Sequence, residues 1–143
     1  MNKVCIVTGA SRGMGYGIAK VLAEEEGATV YATARSKKAL DDLSASTKDS
    51  LGVIHPCVLD QADDGAVEKF VLNVIAKEKQ IDLLVNSAYG GLTAMAPHFG
   101  KPFWERPVSV FDASMNVGLR SAFVMSKFVA PHMVENKSGL MVQ

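Results

Sequence analysis

Apolar residues along the chain follow two alternating rhythms. Val4-Cys5-Ile6-Val7-Thr8 is a short, continuous, β-branched run, the pattern of a parallel strand covered on both faces. Ala28–Thr33, Val53–Leu59 and Ile81–Val85 repeat it, and Gly139–Gln143 begins a fifth. Pro56 interrupts the third run and predicts an edge position, because proline cannot donate to a ladder. Between these runs the apolar spacing becomes helical. Ile18, Val21 and Leu22 predict a helix over 17–26 that Gly27 stops. Ala39, Leu40 and Leu43 predict another over 36–46, with lysines on the opposite side. Val67, Phe70, Val71, Val74 and Ile75 share one face of a helix over 63–79, which Asp63 or Asp64 can cap. Residues 108–134 read as one long helix, and the stretch from Tyr89 to Pro107 as the one long irregular loop. Such loops in compact domains are often functional.

Strand–helix alternation of this kind predicts an α/β fold, a doubly wound parallel sheet between two helical layers with right-handed crossovers. The chain stops inside the fifth strand, so the expected sheet is truncated there. Its 143 residues suit one domain, 1–143, with a real core. Fifteen basic residues balance 15 acidic ones, a net charge of zero that argues against a nucleic-acid partner. No uncharged apolar stretch approaches the ~18 residues of a membrane span. Met1-Asn2-Lys3 leads directly into the first strand and leaves no room for a signal peptide. The two cysteines, Cys5 and Cys57, sit in apolar runs and read as buried thiols of a reducing, cytoplasmic compartment.

The chemistry concentrates after the first strand, in Thr8-Gly9-Ala10-Ser11-Arg12-Gly13-Met14-Gly15. Gly9 permits a tight exit from the strand, and Gly13 and Gly15 let backbone approach a pyrophosphate and let helix pack on sheet. The helix start adds free N–H groups and a partial positive charge. A glycine-rich turn that binds nothing is the alternative, but the strongly patterned strand and helix around it favour a dinucleotide site. After the second strand comes Ala34-Arg35-Ser36, with no acid. An acid there meets a free ribose 2′-hydroxyl, whereas an arginine meets a 2′-phosphate. Arg35, with Arg12 able to clamp the same phosphate from the other side, favours NADP(H) over NAD(H).

Taken together these residues resemble the short-chain dehydrogenase/reductase family, whose TGxxxGxG loop matches Thr8–Gly15. The resemblance covers essentially the whole chain and implies a Rossmann-type NAD(P)-binding domain. It implies cofactor contacts at Gly9, Ser11, Arg12, Gly13, Met14, Gly15 and Arg35. Asp60 matches the family's adenine-binding Asp, with Gln61 beside it. Asn86-Ser87-Ala88-Tyr89 looks like a variant of its Asn-Asn-Ala-Gly segment, which adds Asn86, Ala88 and Tyr89 to the expected contacts. Ser87 and Tyr89 depart from that segment. Counted without gaps, the family's catalytic helix Asn falls on Gly118, and Asn116 lies two residues earlier.

The family's catalytic Ser and Tyr-x-x-x-Lys follow strand five, so the resemblance places every catalytic residue beyond Gln143. Tyr16 has Lys20 four residues on, but beside the phosphate loop, where it reads as a helix-surface pair. The expectation is therefore the dinucleotide-binding portion of an NADP(H)-dependent oxidoreductase that acts on a carbonyl or alcohol. The chain alone lacks the proton donor that carbonyl reduction needs. The alternative is a non-catalytic nucleotide-binding or interaction module. A methyltransferase would want an acid where Arg35 stands. The resemblance further implies a homo-oligomer paired through the surface of the helix at 109–133. His55, His98 and His132 lack metal-ligand spacing, so no metal site is expected and all three read as surface or loop residues. Trp104 reads as a packing anchor of the long loop, and Met115, Met125, Met133 and Met141 as core filler.

Overall fold

The computed structural model describes residues 2–143. Five parallel strands, β1 (Val4–Thr8), β2 (Thr29–Ala34), β3 (Val53–Val58), β4 (Leu83–Val85) and β5 (Leu140–Val142), lie in the order β3-β2-β1-β4-β5. The order reverses at β1, the switch point of a doubly wound sheet. Among the described residues β3 pairs only with β2, so Pro56 does stand on an edge strand, in register with Ala32. β5 pairs with β4, Leu83 opposite Leu140 and Val85 opposite Val142.

The side-chain alternation of the strands feeds two cores. Val4 and Ile6 of β1, Tyr31 of β2 and Leu84 of β4 face α3 (Asp64–Glu78) and a long C-terminal helix, meeting Val67, Val71, Val124, Met125 and Val129. Cys5 and Val7 of β1, with Val30 and Ala32 of β2, face α1 (Gly13–Glu24) and α2 (Lys37–Ser46), meeting Ala19, Ala23, Leu40 and Leu43. The sheet is thus sandwiched, as the continuous apolar strands require. Burial pushes the thiols of Cys5 and Cys57 up to about 11, which keeps both neutral and unreactive at ordinary pH.

Several expectations are corrected. The first helix starts at Gly13, four residues before the expected start at Gly17, because glycines leave no periodicity to read. The irregular loop carries structure of its own: α4 (Gly91–Met95) and two 3-10 turns, Ala96–His98 and Phe103–Glu105. Trp104 does not anchor it, for the indole is 73% exposed and meets Phe103 edge to face at 5.4 Å.

A further correction concerns the long helix. It is two helices, α5 (Val108–Ser114) and α6 (Ser121–Glu135), joined by a wide π turn, Met115–Arg120. Val117 leaves helical geometry there (φ −106°, ψ 72°), and its carbonyl accepts from the Gly90 amide instead of continuing the helix. Such π insertions inside a helix are frequent at functional sites. Met125 and Met133 fill the core as expected, but Met115 is 38% exposed. His55 is not a loop residue: it lies half-buried in β3, with its ring 4.9 Å from that of Tyr31.

Candidate functional site

All the expected chemistry except Asn86 opens onto one cleft of about 970 Å³ at the C-terminal ends of β1, β2, β3 and β4. Open α/β sheets bind ligands at that place. The glycine loop forms its floor, and each glycine there has a different physical reason. Gly9 (φ +69°) lies against the chain leaving β4: a Cβ on it would stand 2.7 Å from Ala88 Cα. Gly15 lies against Gly9. Gly13 (φ +59°) meets nothing within 4 Å, so its bare side faces the open cleft.

The helix that starts at this glycine has no cap. Ser36 caps α2 by accepting from the Ala39 amide, and Asp63 caps α3 by accepting from the Ala66 amide. The residue in the same position before α1, Arg12, accepts no such bond, and the first turn carries no acid. The leading amides of α1 are left to whatever enters the cleft, with the positive end of the helix dipole behind them.

Two bridges hold the floor to the wall. Thr8 Oγ1 accepts from the amides of both Ser87 and Ala88, at 3.0 Å each, which ties the exit of β1 to that of β4. Arg12 reaches over the cleft and donates from Nη2 to Thr93 Oγ1 of α4 at 3.4 Å. Arg35, exposed just before the Ser36 cap, enters the cleft from the β2 side.

Past β3, Asp60 lines the cleft with Oδ1 accepting from the Ala62 amide (3.0 Å), an arrangement that fixes the carboxylate. Gln61 is buried. Its Nε2 donates to Thr33 Oγ1 at 3.2 Å, so it braces the wall through the end of β2. Ser11, Met14, Ala88 and Tyr89 line the cleft as well. Asn86 turns out of it, its Nδ2 donating to Ser126 Oγ of α6 (3.1 Å) and its amide to the Val142 carbonyl (2.9 Å). That residue seats β5 and α6 rather than facing the space.

Apart from Asn116, the far wall carries no residue that sequence motifs single out. Asp112 and Ala113 of α5, Asn116 and Val117 of the π turn, and Leu92 and Thr93 of α4 complete the cleft. The π turn is the reason. By widening the helix it brings Asn116 to the cleft, whereas Gly118, where ungapped counting put the position, lies behind the Tyr89 ring. The available signal was Gly118 inside an otherwise apolar helical pattern. Arg120, which closes the π turn, grips Asp64 at the start of α3 through both nitrogens (2.7 and 2.6 Å). This pairing holds the Asp64 carboxyl below the usual carboxylate range.

The residues present fit a dinucleotide. Uncapped amides and an open Gly13 suit a diphosphate, and the cleft runs across the switch point from Arg35 and Asp60 to Asn116. Among the described residues no group of three or more His, Cys, Asp or Glu could hold a metal ion, and no helix is long and apolar enough to cross a membrane.

Comparison with known proteins agrees with this geometry. The sequence profile of the short chain dehydrogenases matches residues 3–143. Dehydrogenase/reductase SDR family member 1 of Mus musculus is 41% identical over 145 residues, covering 99% of this chain and 45% of that protein. The 3-oxoacyl-[acyl-carrier-protein] reductase of Thermotoga maritima is 34% identical over 99% of this chain and 54% of its own length. The chain thus spans about half the length of the curated relatives it matches. A metagenomic short-chain oxidoreductase solved in complex with NADP superposes with a TM-score of 0.84 at 31% identity, over 97% of this chain and 60% of that one. An NAD+-bound xylitol dehydrogenase superposes with the same score at 28% identity, over 97% of this chain and 51% of the other. Profile, relatives, strand order and glycine loop all agree: this chain belongs to the short-chain dehydrogenase family.

Proposed function

We propose that this chain is the dinucleotide-binding portion of an oxidoreductase that uses NADP(H) on a carbonyl or alcohol. The observation that carries the reading is the uncapped start of α1 over an open Gly13, in a cleft lined by Arg12 and Arg35 with no acid at the end of β2. The α1 amides and Gly9, Ser11, Gly13, Met14 and Gly15 hold the diphosphate. Asp60, held by its own turn, takes the adenine, with Gln61 bracing the wall beside it through Thr33. Arg35 takes the ribose 2′-phosphate, joined by Arg12 once it leaves Thr93. Ala88 and Tyr89 continue the floor toward the nicotinamide, and Asn86 supports that end from behind. When bound, the dinucleotide supplies the hydride chemistry.

Asn116 offers a polar side chain at the nicotinamide end, and we assign it the holding of polar groups there. Proton transfer to a carbonyl oxygen is not assigned to this chain. Its three tyrosines are Tyr16, Tyr31 and Tyr89, and the one with a lysine four residues on, Tyr16, meets Ser46 Oγ across from α2 while Lys20 pairs with Glu24. That division favours, as a second reading, a chain that binds the nucleotide without turning it over. We further propose a cytoplasmic, homo-oligomeric protein paired through the 109–133 surface, where Phe111, Leu119 and Phe123 are 62–69% exposed.

Cofactor preference is tested by calorimetric titration of the Arg35→Asp variant. A charge-assisted contact of about 1.5–3 kcal/mol corresponds to a roughly 10- to 150-fold loss of NADPH affinity, with NADH affinity held or improved. Equal loss for both nucleotides contradicts the assignment.

A further inference from the structure

Tyr89 stands where the resembling segment of the family has glycine, and the surrounding residues make room for it. Its ring lies over Gly118, where a Cβ would come within 3.3 Å of Tyr89 Cδ2. Its hydroxyl lies 3.0 Å from Ser114 Oγ, and Ser114 Oγ lies 2.8 Å from the Val110 carbonyl. The serine has one hydroxyl hydrogen and a carbonyl can only accept, so Ser114 donates to Val110 and Tyr89 donates to Ser114. Gly91 is bare against this junction, for a Cβ there would collide with both Tyr89 Oη and Ser114 Oγ. The preceding residue, Gly90, donates its amide to the displaced carbonyl of Val117.

Tyr89 and Gly90 therefore grip the broken helix just before its irregular turn, at Ser114, and within it, at Val117, while bare Gly91 leaves room for the tyrosine. A wide turn with a non-helical residue gives up regular helical hydrogen bonds and persists only where its surroundings hold it. Asn116 lies between the two gripped positions and faces the cleft.

We propose that Tyr89 is a positioning residue: through the relay Tyr89 Oη–Ser114 Oγ–Val110 C=O it fixes the π turn in the register that presents Asn116 and Val117 to the nicotinamide end of the cleft. The proposal rests on the dinucleotide reading above and adds to it a side chain that acts on one half of the ligand only. The half that carries adenine lies by Arg35 and Asp60, past β2 and β3, and makes no use of the turn.

The test compares two probes by calorimetry on the full chain: NADP+, and 2′,5′-ADP, which carries the adenine half alone. Tyr89→Phe and Ser114→Ala each break the relay while keeping the ring or the backbone. Each weakens NADP+ about three- to tenfold, the scale of one ordinary hydrogen bond, and leaves 2′,5′-ADP unchanged. Gly91→Ala, which pushes the tyrosine off the serine, shifts NADP+ in the same direction. A loss of general stability moves both probes together, so the split between them separates positioning from mere support. Equal weakening toward both probes, or unchanged NADP+ affinity in Tyr89→Phe and Ser114→Ala, overturns the assignment of Tyr89 alone. A wild-type chain that binds neither probe overturns the dinucleotide reading and this proposal with it.

Discussion

Gly15 lies directly on the carbonyl of Gly9: a methyl group built on Gly15 would stand 2.5 Å from that oxygen and 3.1 Å from the oxygen of Thr8. The first helix can start above the strand end only because this side is bare. Its amides reach the cleft for the same reason.

Alanine at the two inner glycines of α1 therefore has opposite signs. Gly15→Ala overpacks backbone against backbone and costs about 1–3 kcal/mol, with loss of nucleotide binding. Gly17→Ala, two residues on, meets nothing within 4 Å and gains about 0.5–1 kcal/mol from the better helix former. Thermal melts of the two variants check this. A stabilised Gly15→Ala contradicts the packing account.

His55 makes stability pH-dependent in a defined window. Burial, and then the nearby positive charge of Lys77, lowers its pKa from the ordinary 6.5, with Glu78 opposing. The folded chain then binds fewer protons than the unfolded chain, so stability is full above about 6.5 and falls as the pH drops through that value toward the folded pKa. His55→Phe keeps a ring against Tyr31 and removes the titration. Urea unfolding at pH 7.5 and 5.5 shows a smaller difference in the variant than in the wild type; an equal difference contradicts the assignment.

The exposed apolar face of the 109–133 region predicts self-association. Phe123 is 67% exposed, so Phe123→Glu leaves the monomer's core intact while placing charge at the proposed contact. Sedimentation gives the wild type at a multiple of 15.3 kDa and the variant at 15.3 kDa. A monomeric wild type at tens of micromolar refutes the pairing.

The sheet was legible because its strands are buried on both faces, and a continuous apolar run such as Val4–Thr8 leaves little other interpretation. The edge position of β3 was legible from Pro56, a local property of one residue. The glycine loop was legible as a motif, but the reason for Gly9, its contact with Ala88 79 residues away, belongs to tertiary packing. The cap comparison among α1, α2 and α3 likewise needed coordinates, although Ser36 and Asp63 are ordinary capping residues in sequence. The π turn was hidden because period counting assumes a regular helix; an insertion at Val117 changes which residue faces the cleft without changing the apolar pattern around it. Arg12 shows the same limit, since its partner Thr93 lies 81 residues on in a segment that reads as loop.

The proposed grip on a dinucleotide diphosphate rests on the bare amides at the start of α1. Calorimetric titration of the folded wild-type chain with NADPH tests it most directly. Saturable one-to-one binding that Gly15→Ala abolishes is the expected result, whereas a chain that stays folded and takes up neither NADPH nor NADH at millimolar concentration contradicts it.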